Sequence, residues 1–253
     1  MQDEASVRTI TFDRSEKRNA FDEAMLAEIH DAIVSAGVTD DVRVVVLTGD
    51  ERAFSTGADL REYAVLDALG ARASNLRSWM RTLGAIETLE KPVIAAVRGA
   101  AVAGGTETIL ACDLVVAAED AMLGLAEMRV GVMPGAGAVT RLTRWVGRAV
   151  AKEMLMTGDP ITGVEAHRIG LVNRVVPADH VLDEARALAE LLASRSPVAL
   201  AAVKRAVNVG SEMTMDHGMA YTLQEFALLF DSHDQTEGMT AFLEKRSPKF
   251  LGR

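Results

Sequence analysis

Cysteine occurs once in the 253 residues, at Cys112, so no disulfide can close within the chain and no cysteine cluster can bind a metal. A reducing compartment is expected, with Cys112 packed in the core. Basic runs are also missing. The 27 Lys and Arg residues stand against 36 Asp and Glu, a net charge of −9, and no basic stripe could neutralise a nucleic-acid backbone. A nucleic-acid partner is not expected, although a local basic patch for a small anion stays open. No apolar span reaches the ~18 residues of a membrane helix, and the opening "MQDEAS" is acidic with no apolar segment behind it. Neither membrane insertion nor secretion is expected, which gives the reading of a soluble cytoplasmic protein. The five histidines, His30, His167, His180, His217 and His233, are scattered without HExxH or other metal-ligand spacing, so none is assigned to a metal or to catalysis. "GAGAVT" after Pro134 lacks the third glycine and the strand–helix context of a dinucleotide fingerprint, which argues against NAD binding.

What is present is a globular balance of 49% hydrophobic and 25% charged residues. At roughly 150 residues per domain, the length allows one large domain, or one domain and an appendage. Strand-like and helix-like segments alternate. "VRTITF", "VRVVVLTG", "PVIAAV", "DLVVAA", "AMLGLA" and "LVNRVV" read as strands. Asp22 can cap a helix with Met25, Ile29, Ile33 and Ala36 on one face, and Leu76, Met80, Leu83 and Ile86 mark another that Pro92 keeps out of the next strand. From about residue 138 the character turns helical, through "AVAKEMLM", "DEARALAELLA", "PVALAAVKRAVN", "TLQEFALLF" and "TEGMTAFLEKR". No linker, low-complexity tract or clear repeat divides the chain, so these helices should pack on the α/β part or on a neighbouring subunit.

Two glycine-rich turns stand out. "VRGAAVAGGTETILACD" places Gly99, Gly104 and Gly105 after a strand that ends at Val97 and before an apolar helix. A helix start has free N–H groups and partial positive charge, and glycine lets a ligand oxygen come close. The same grammar recurs where "VVVLTG" leads to "FSTGADL", offering N–H groups near Gly57 and Ala58. Two such turns could aim two N–H groups at one carbonyl oxygen. Each alone is also an ordinary structural turn.

Taken together, "SEKRNAF", "RAFSTGADL", "KPVIAAVRGAAVAGGTE", "ACDLVVAAEDAMLGLAEMRVGVMPGAG", "RIGLVNRVV" and "AFLEKRSPKF" resemble the crotonase superfamily, specifically enoyl-CoA hydratases. The resemblance covers nearly the whole chain in order. It implies an α/β fold, a spiral of ββα units over residues 1–195 carrying an acyl-CoA site, followed by a helical oligomerisation segment over 196–253. It implies that the N–H groups of Ala58 and Gly104 polarise a thioester carbonyl, and that Glu107 and Glu127 are the paired catalytic acids. It further implies substrate or CoA contacts from Lys17, Arg18, Gly57, Asp59, Leu60 and Gly105, and from Phe242 and Lys245 reaching a neighbouring subunit.

The activity implied is hydration of a trans-2-enoyl-CoA to a 3-hydroxyacyl-CoA, with no metal or redox cofactor, by a homotrimer or homohexamer. Two carboxyl groups can serve as acid and base on one face of the alkene if their proton affinities are split. Buried among Ile109, Leu110, Leu125 and Met128, such acids would be expensive without a purpose. A Δ3,Δ2-enoyl-CoA isomerase and a non-catalytic acyl-CoA-binding protein are the alternatives, and both glutamates favour hydration. Ser15, Arg98, Ala103, Ala126 and "GAVTRL" at 137–142 depart from the family's common residues without removing a reacting group. They bear on pocket shape. Trp79, Met80 and Met133 read as acyl-pocket lining or as core.

Overall fold

The computed structural model describes all residues, 1–253. The chain opens with β1 (Gln2–Glu4) and β2 (Val7–Thr11), then α1 (Glu23–Val38), whose first turn is capped by Asp22 accepting from the Met25 N–H at 2.9 Å. Three ββα units follow. The first is β3 (Val44–Thr48), β4 (Ala53–Ser55) and the helices α2 (Leu60–Tyr63), α3 (Ala68–Ser74) and α4 (Met80–Thr88). The second is β5 (Val93–Val97), β6 (Ala100–Val102) and α5 (Gly104–Ala111), and the third is β7 (Leu114–Ala118), β8 (Met122–Gly124) and α6 (Ala138–Thr157). Then come β9 (Ile161–Thr162), α7 (Gly163–Arg168), β10 (Arg174–Val176) and the helices α8 (Val181–Ala193), α9 (Pro197–Gly210), α10 (Met215–Leu228) and α11 (His233–Leu243). No helix is long and apolar enough to cross a membrane.

Each unit sends its first strand to one sheet and its second to another. The larger sheet runs β1-β2-β3-β5-β7-β10, parallel except for β1, and the smaller runs β4-β6-β8-β9, parallel except for β9. This is a spiral of ββα turns. β3 and β5 are buried at every residue, with α8 lying across β2, β3, β5 and β7. Burial on both faces is why their sequences are continuous apolar runs with no polar alternation.

Two local expectations need correction. The strand at Val97 does not lead directly into a helix: β6 intervenes, Gly99 sits in the β5–β6 corner, and α5 begins only at Gly104. Gly99 belongs to that corner because a Cβ there would stand 2.4 Å from the Arg52 carbonyl oxygen. The second concerns the apolar faces of two helices. In α1 the buried set is Leu26, Ile29, Ile33 and Ala36, with Met25 only half-buried. Before α4, a π-helical turn at Asn75–Trp79 inserts extra backbone that rotates the face, so Trp79, Leu83 and Ile86 point inward while Leu76 and Met80 are exposed.

The helical C-terminal part is tied to the α/β part by one buried cation. Lys204 of α9 donates to Asp113 Oδ2 at 2.8 Å and to the Ile86 carbonyl at 3.0 Å, and Asp113 also accepts from the Val93 N–H at 2.7 Å. The tail returns to the same region. Asp234 accepts from Ser196 Oγ and from the Leu251 and Gly252 N–H groups, while Arg43 donates to the Phe250 carbonyl.

Ala103, between β6 and α5, has φ +51° and ψ −125°, a conformation that glycine adopts freely and an L side chain resists. Hydrogen bonds on both sides hold it there: its N–H donates to the Gly124 carbonyl at 2.8 Å, and its carbonyl accepts from the Glu107 N–H at 3.0 Å. Strain of this kind costs roughly 1–3 kcal/mol, and the unfolded-state entropy of a glycine offsets about 0.5–1 kcal/mol of any relief. Ala103→Gly is therefore expected to stabilise the protein by about 1 kcal/mol, read as a higher urea midpoint at unchanged slope. A lower midpoint would show that the contact of the Ala103 methyl with Gly57 outweighs the strain.

Candidate active site

The two glycine turns meet. Gly57 has φ +85°, and a Cβ on it would lie 2.6 Å from the Gly104 nitrogen and 2.9 Å from the Ala103 Cβ. No side chain fits there. The Gly57 N–H is taken by Ser55 Oγ at 3.1 Å and the Asp59 N–H by the Phe21 carbonyl at 2.9 Å, which leaves the Ala58 N–H between them without an acceptor in the chain. Gly104 is the first residue of α5, where N–H groups have no intrahelical acceptor. Two free donors thus stand side by side at a helix N-terminus. Trp79 roofs one of them, since a Cβ on Gly104 would be 2.2 Å from its ring. Gly105 rests on β4, where a Cβ would be 2.3 Å from the Ser55 carbonyl oxygen.

A neighbouring loop holds the first turn in place. Asn19, fully buried, donates to the Ala53 carbonyl at 2.8 Å and accepts from the Arg14 N–H, and Ser55 Oγ donates to the Asn19 carbonyl at 2.7 Å. Lys17 and Arg18 precede it, and the Arg18 carbonyl accepts from the Thr56 N–H. Their loop therefore runs beside the Ala58 turn. Asp59 caps α2 and is paired with Arg61 and Arg14, which hold its carboxyl at about 2, Arg61 contributing most. Leu60, the first residue of α2, is exposed.

Glu107 is one turn into α5 and 4% exposed. Its Oε1 accepts from the Ala136 N–H at 2.8 Å and the Ala138 N–H at 3.1 Å, at the N-terminus of α6. Burial pushes its carboxyl above the ordinary range, and the two N–H groups together with the Arg141 cation oppose that rise. Glu127 sits in a short 3₁₀ turn, Ala126–Val130, after β8. Its Oε2 is buried with no hydrogen-bond partner. Burial lifts its carboxyl from an ordinary 4.5 to about 7, and the charge of Glu107 adds to the shift. The two acids therefore feel each other while differing in support.

The fold brings together Gly57, Ala58, Gly104, Gly105, Glu107 and Glu127, with the Lys17–Arg18 loop alongside. Phe242, 83% exposed, and Lys245, just past the end of α11, stand apart from them on the surface of the C-terminal helices. Sequence reasoning missed the residues that finish the site. Ala136, Ala138 and Arg141 lie about 30 positions from Glu107, and Tyr63, half-buried, lies near enough to feel the Glu107 charge. The π-helical turn that brings Trp79 onto Gly104 had no sequence signal. A cavity of about 290 Å³ lined by Phe226, Leu229, Phe230, Met239 and Phe250 belongs to the C-terminal helices and not to this site.

A 2,3-dehydroadipyl-CoA hydratase of Escherichia coli (strain K12) is 41% identical over 98% of this chain and 96% of its own length. A crotonyl-CoA hydratase of Syntrophomonas wolfei is 37% identical over 100% of this chain and 97% of its own. The crystal structure of an enoyl-CoA hydratase from Bacillus anthracis superposes with a TM-score of 0.94 at 37% identity, covering 98% of this chain and 96% of that one. The sequence profile of the enoyl-CoA hydratase/isomerase family matches residues 2–253. Matched along almost its whole length by the family profile and by full-length relatives and structures, the chain belongs to the enoyl-CoA hydratase/isomerase family.

Proposed function

We propose that the protein is an enoyl-CoA hydratase, adding water across the double bond of a trans-2-enoyl-CoA to give a 3-hydroxyacyl-CoA. The observation that carries the reading is the pair of glutamates in opposite settings beside two free N–H donors. The thioester oxygen would accept from the Ala58 and Gly104 N–H groups, which stabilise the charge that gathers there as Cβ is attacked. Glu107, with N–H donors and a cation facing it, is suited to the carboxylate form and takes a proton from water as the hydroxyl bonds to Cβ. Glu127, with an unpartnered oxygen and a carboxyl near 7, is suited to the acid form and gives a proton to Cα. One water is consumed, the proton gained by Glu107 returns to Glu127 between turnovers, and no net oxidation occurs. The reaction so written uses no electron acceptor and no metal. Lys17, Arg18, Gly57, Asp59, Leu60 and Gly105 are proposed to border the bound thioester and CoA.

The C-terminal helices support assembly. Leu223, Phe226 and Phe230 on α10 and its following turn, and Met239, Phe242 and Leu243 on α11, are all exposed in one chain. A closed ring would bury them without leaving an open edge. We propose that residues 1–195 carry the site and 196–253 join subunits in a trimer or hexamer, with Phe242 and Lys245 completing a neighbour's CoA site. A cytoplasmic location fits the single buried thiol.

Three measurements test these readings. Glu107→Gln and Glu127→Gln are each expected to lower crotonyl-CoA hydration, followed by loss of enoyl-thioester absorbance, by about 10²-fold or more, the scale of acid–base catalysis. Near-normal turnover in either variant would remove that residue from the mechanism, and double-bond migration without hydration would point to an isomerase.

Glu127 also makes a stability prediction. Its folded-state carboxyl is raised, so the folded protein holds an extra proton between about 4.5 and about 7, and stability falls as pH rises through that window. Glu127→Gln should therefore match the wild type in thermal midpoint below pH 4.5 and exceed it above pH 7. Equal midpoints at both extremes would mean the carboxyl is not perturbed.

For assembly, light scattering is expected to give a trimer or hexamer, and Leu243→Asp to shift it toward monomer. Leu243 is 80% exposed in the single chain, so the substitution costs the isolated fold little and any effect reads the interface. A wild-type protein monomeric at assay concentration would overturn the assembly reading.

A further inference from the structure

Arg141 falls in the "GAVTRL" segment, and in the reaction above it enters only as the cation that opposes the rise of the Glu107 carboxyl. In the fold it is 15% exposed at its side chain and makes three directed contacts. Its Nε and Nη2 donate to the two oxygens of Glu87, both at 2.6 Å, a bidentate pair. Its Nη1 donates to the Ala136 carbonyl at 2.8 Å. Ala136 is the residue whose N–H grips Glu107, so the guanidinium holds one side of that peptide segment while the carboxylate holds the other. Gly137 completes the arrangement. It has φ +108°, and a Cβ on it would stand 2.2 Å from Arg141 Nη1, so the guanidinium occupies the space a side chain would fill.

We infer, on the basis of the hydratase reading, that Arg141, anchored by Glu87, is a positioning residue that fixes the Ala136–Ala138 segment so that Glu107 is held as an oriented carboxylate toward the attacking water. The groups facing Glu107 are the Ala136 and Ala138 N–H groups and Arg141 from the start of α6, Glu127 from the 3₁₀ turn, and Tyr63 from α2. Of these, Arg141 is the one cation. Its nitrogens all donate to Glu87 or the Ala136 carbonyl, so it acts on the rate of the chemical step more than on substrate affinity. Glu87 stands on α4, continuous with the π-helical turn that places Trp79 over Gly104. One helix therefore braces both the N–H donors of the carbonyl site and the base.

The sign of the effect follows from charge. Removing the cation disfavours the ionised form of Glu107, so its titration moves to higher pH, as does the acid limb of kcat/KM. Arg141→Gln is expected to lower kcat by roughly 10-fold or more with KM changed less than about threefold, and to shift that limb upward by at least about half a pH unit. Arg141→Lys keeps the charge but not the fork, and should recover most of the shift with only part of kcat. Glu87→Gln removes the counter-charge and part of the anchor but leaves the Arg141 cation in place, so kcat should fall while the limb stays or moves down. An infrared titration of the carboxylate band, with the Glu107→Gln spectrum subtracted, reads the Glu107 proton directly and stands whether or not the enzyme hydrates crotonyl-CoA. An inactive wild type in which Arg141→Gln still shifts this band would overturn the hydratase reading and keep the electrostatic coupling of Arg141 to Glu107. An unmoved band and limb in Arg141→Gln, or an upward shift in Glu87→Gln equal to that in Arg141→Gln, would overturn the positioning role.

Discussion

The contact between the Gly57 turn and the start of α5 admits no side chain, and much of the molecule is arranged to keep it so. A Cβ at Gly57 would fall within 2.6 Å of the Gly104 nitrogen, and one at Gly105 within 2.3 Å of the Ser55 carbonyl oxygen. The two turns come from successive ββα units, and β4 and β6 bring them together by pairing in the smaller sheet. Buried Asn19 fixes the far side of the first turn through Ala53 and Ser55, and Trp79 covers the second. Strand pairing alone would leave these N–H groups approximately placed. Asparagine, tryptophan and the absence of side chains at three glycines make the placement tight, as the role proposed for these donors requires.

The same economy governs the acids. Two glutamates in an apolar setting both resist ionisation, and with identical surroundings they would share one proton indifferently. Here one lies at a helix N-terminus with two N–H donors and an arginine behind it, and the other has an oxygen with no donor at all. The asymmetry belongs to the surroundings of the carboxyl groups, which is how one residue type can serve as base and as acid in the same site.

The centre of the larger sheet was legible in the sequence because β3 and β5 are buried at every residue and spell continuous apolar runs, "VRVVVLTG" and "PVIAAV", whereas the exposed edge strand β1 was not. The smaller sheet was not. Of its members only β8 was legible, because its three residues lie inside the longer apolar stretch "AMLGLA"; β4 and β6 lie in glycine-rich turn segments and β9 is two residues long, so no period registers there. For the same reason the ββα repeat escaped notice, although the resemblance to crotonases implied it. Asp22 was legible as a cap because the signal is local. Glu107 and Glu127 were legible as a pair only through that resemblance, since nothing local joins residues in different units. Arg141 and Ala136 were illegible on any local ground: their importance comes from contacts with Glu87 and Glu107, 54 and 29 residues away.

The C-terminal helices combine firm anchoring at one end with apolar exposure at the other. Lys204 is buried against Asp113 and the carbonyls of Ile86 and Lys91, a cation that would be very costly to bury unpaired, so the base of α9 cannot lift from the sheet without breaking several bonds at once. Asp234 secures the returning tail to the same base through Ser196 and the Leu251 and Gly252 N–H groups. Beyond these anchors, α10 and α11 present Phe226, Phe230, Met239, Phe242 and Leu243 to the outside. A flexible tail would lose much of its binding energy in being ordered, whereas helices already held by a buried ion pair and a buried carboxylate would, in the assembly proposed, have little left to order. The polar bonds buried at the base therefore have their effect at the apolar tips, where they turn an exposed surface into one that is already shaped.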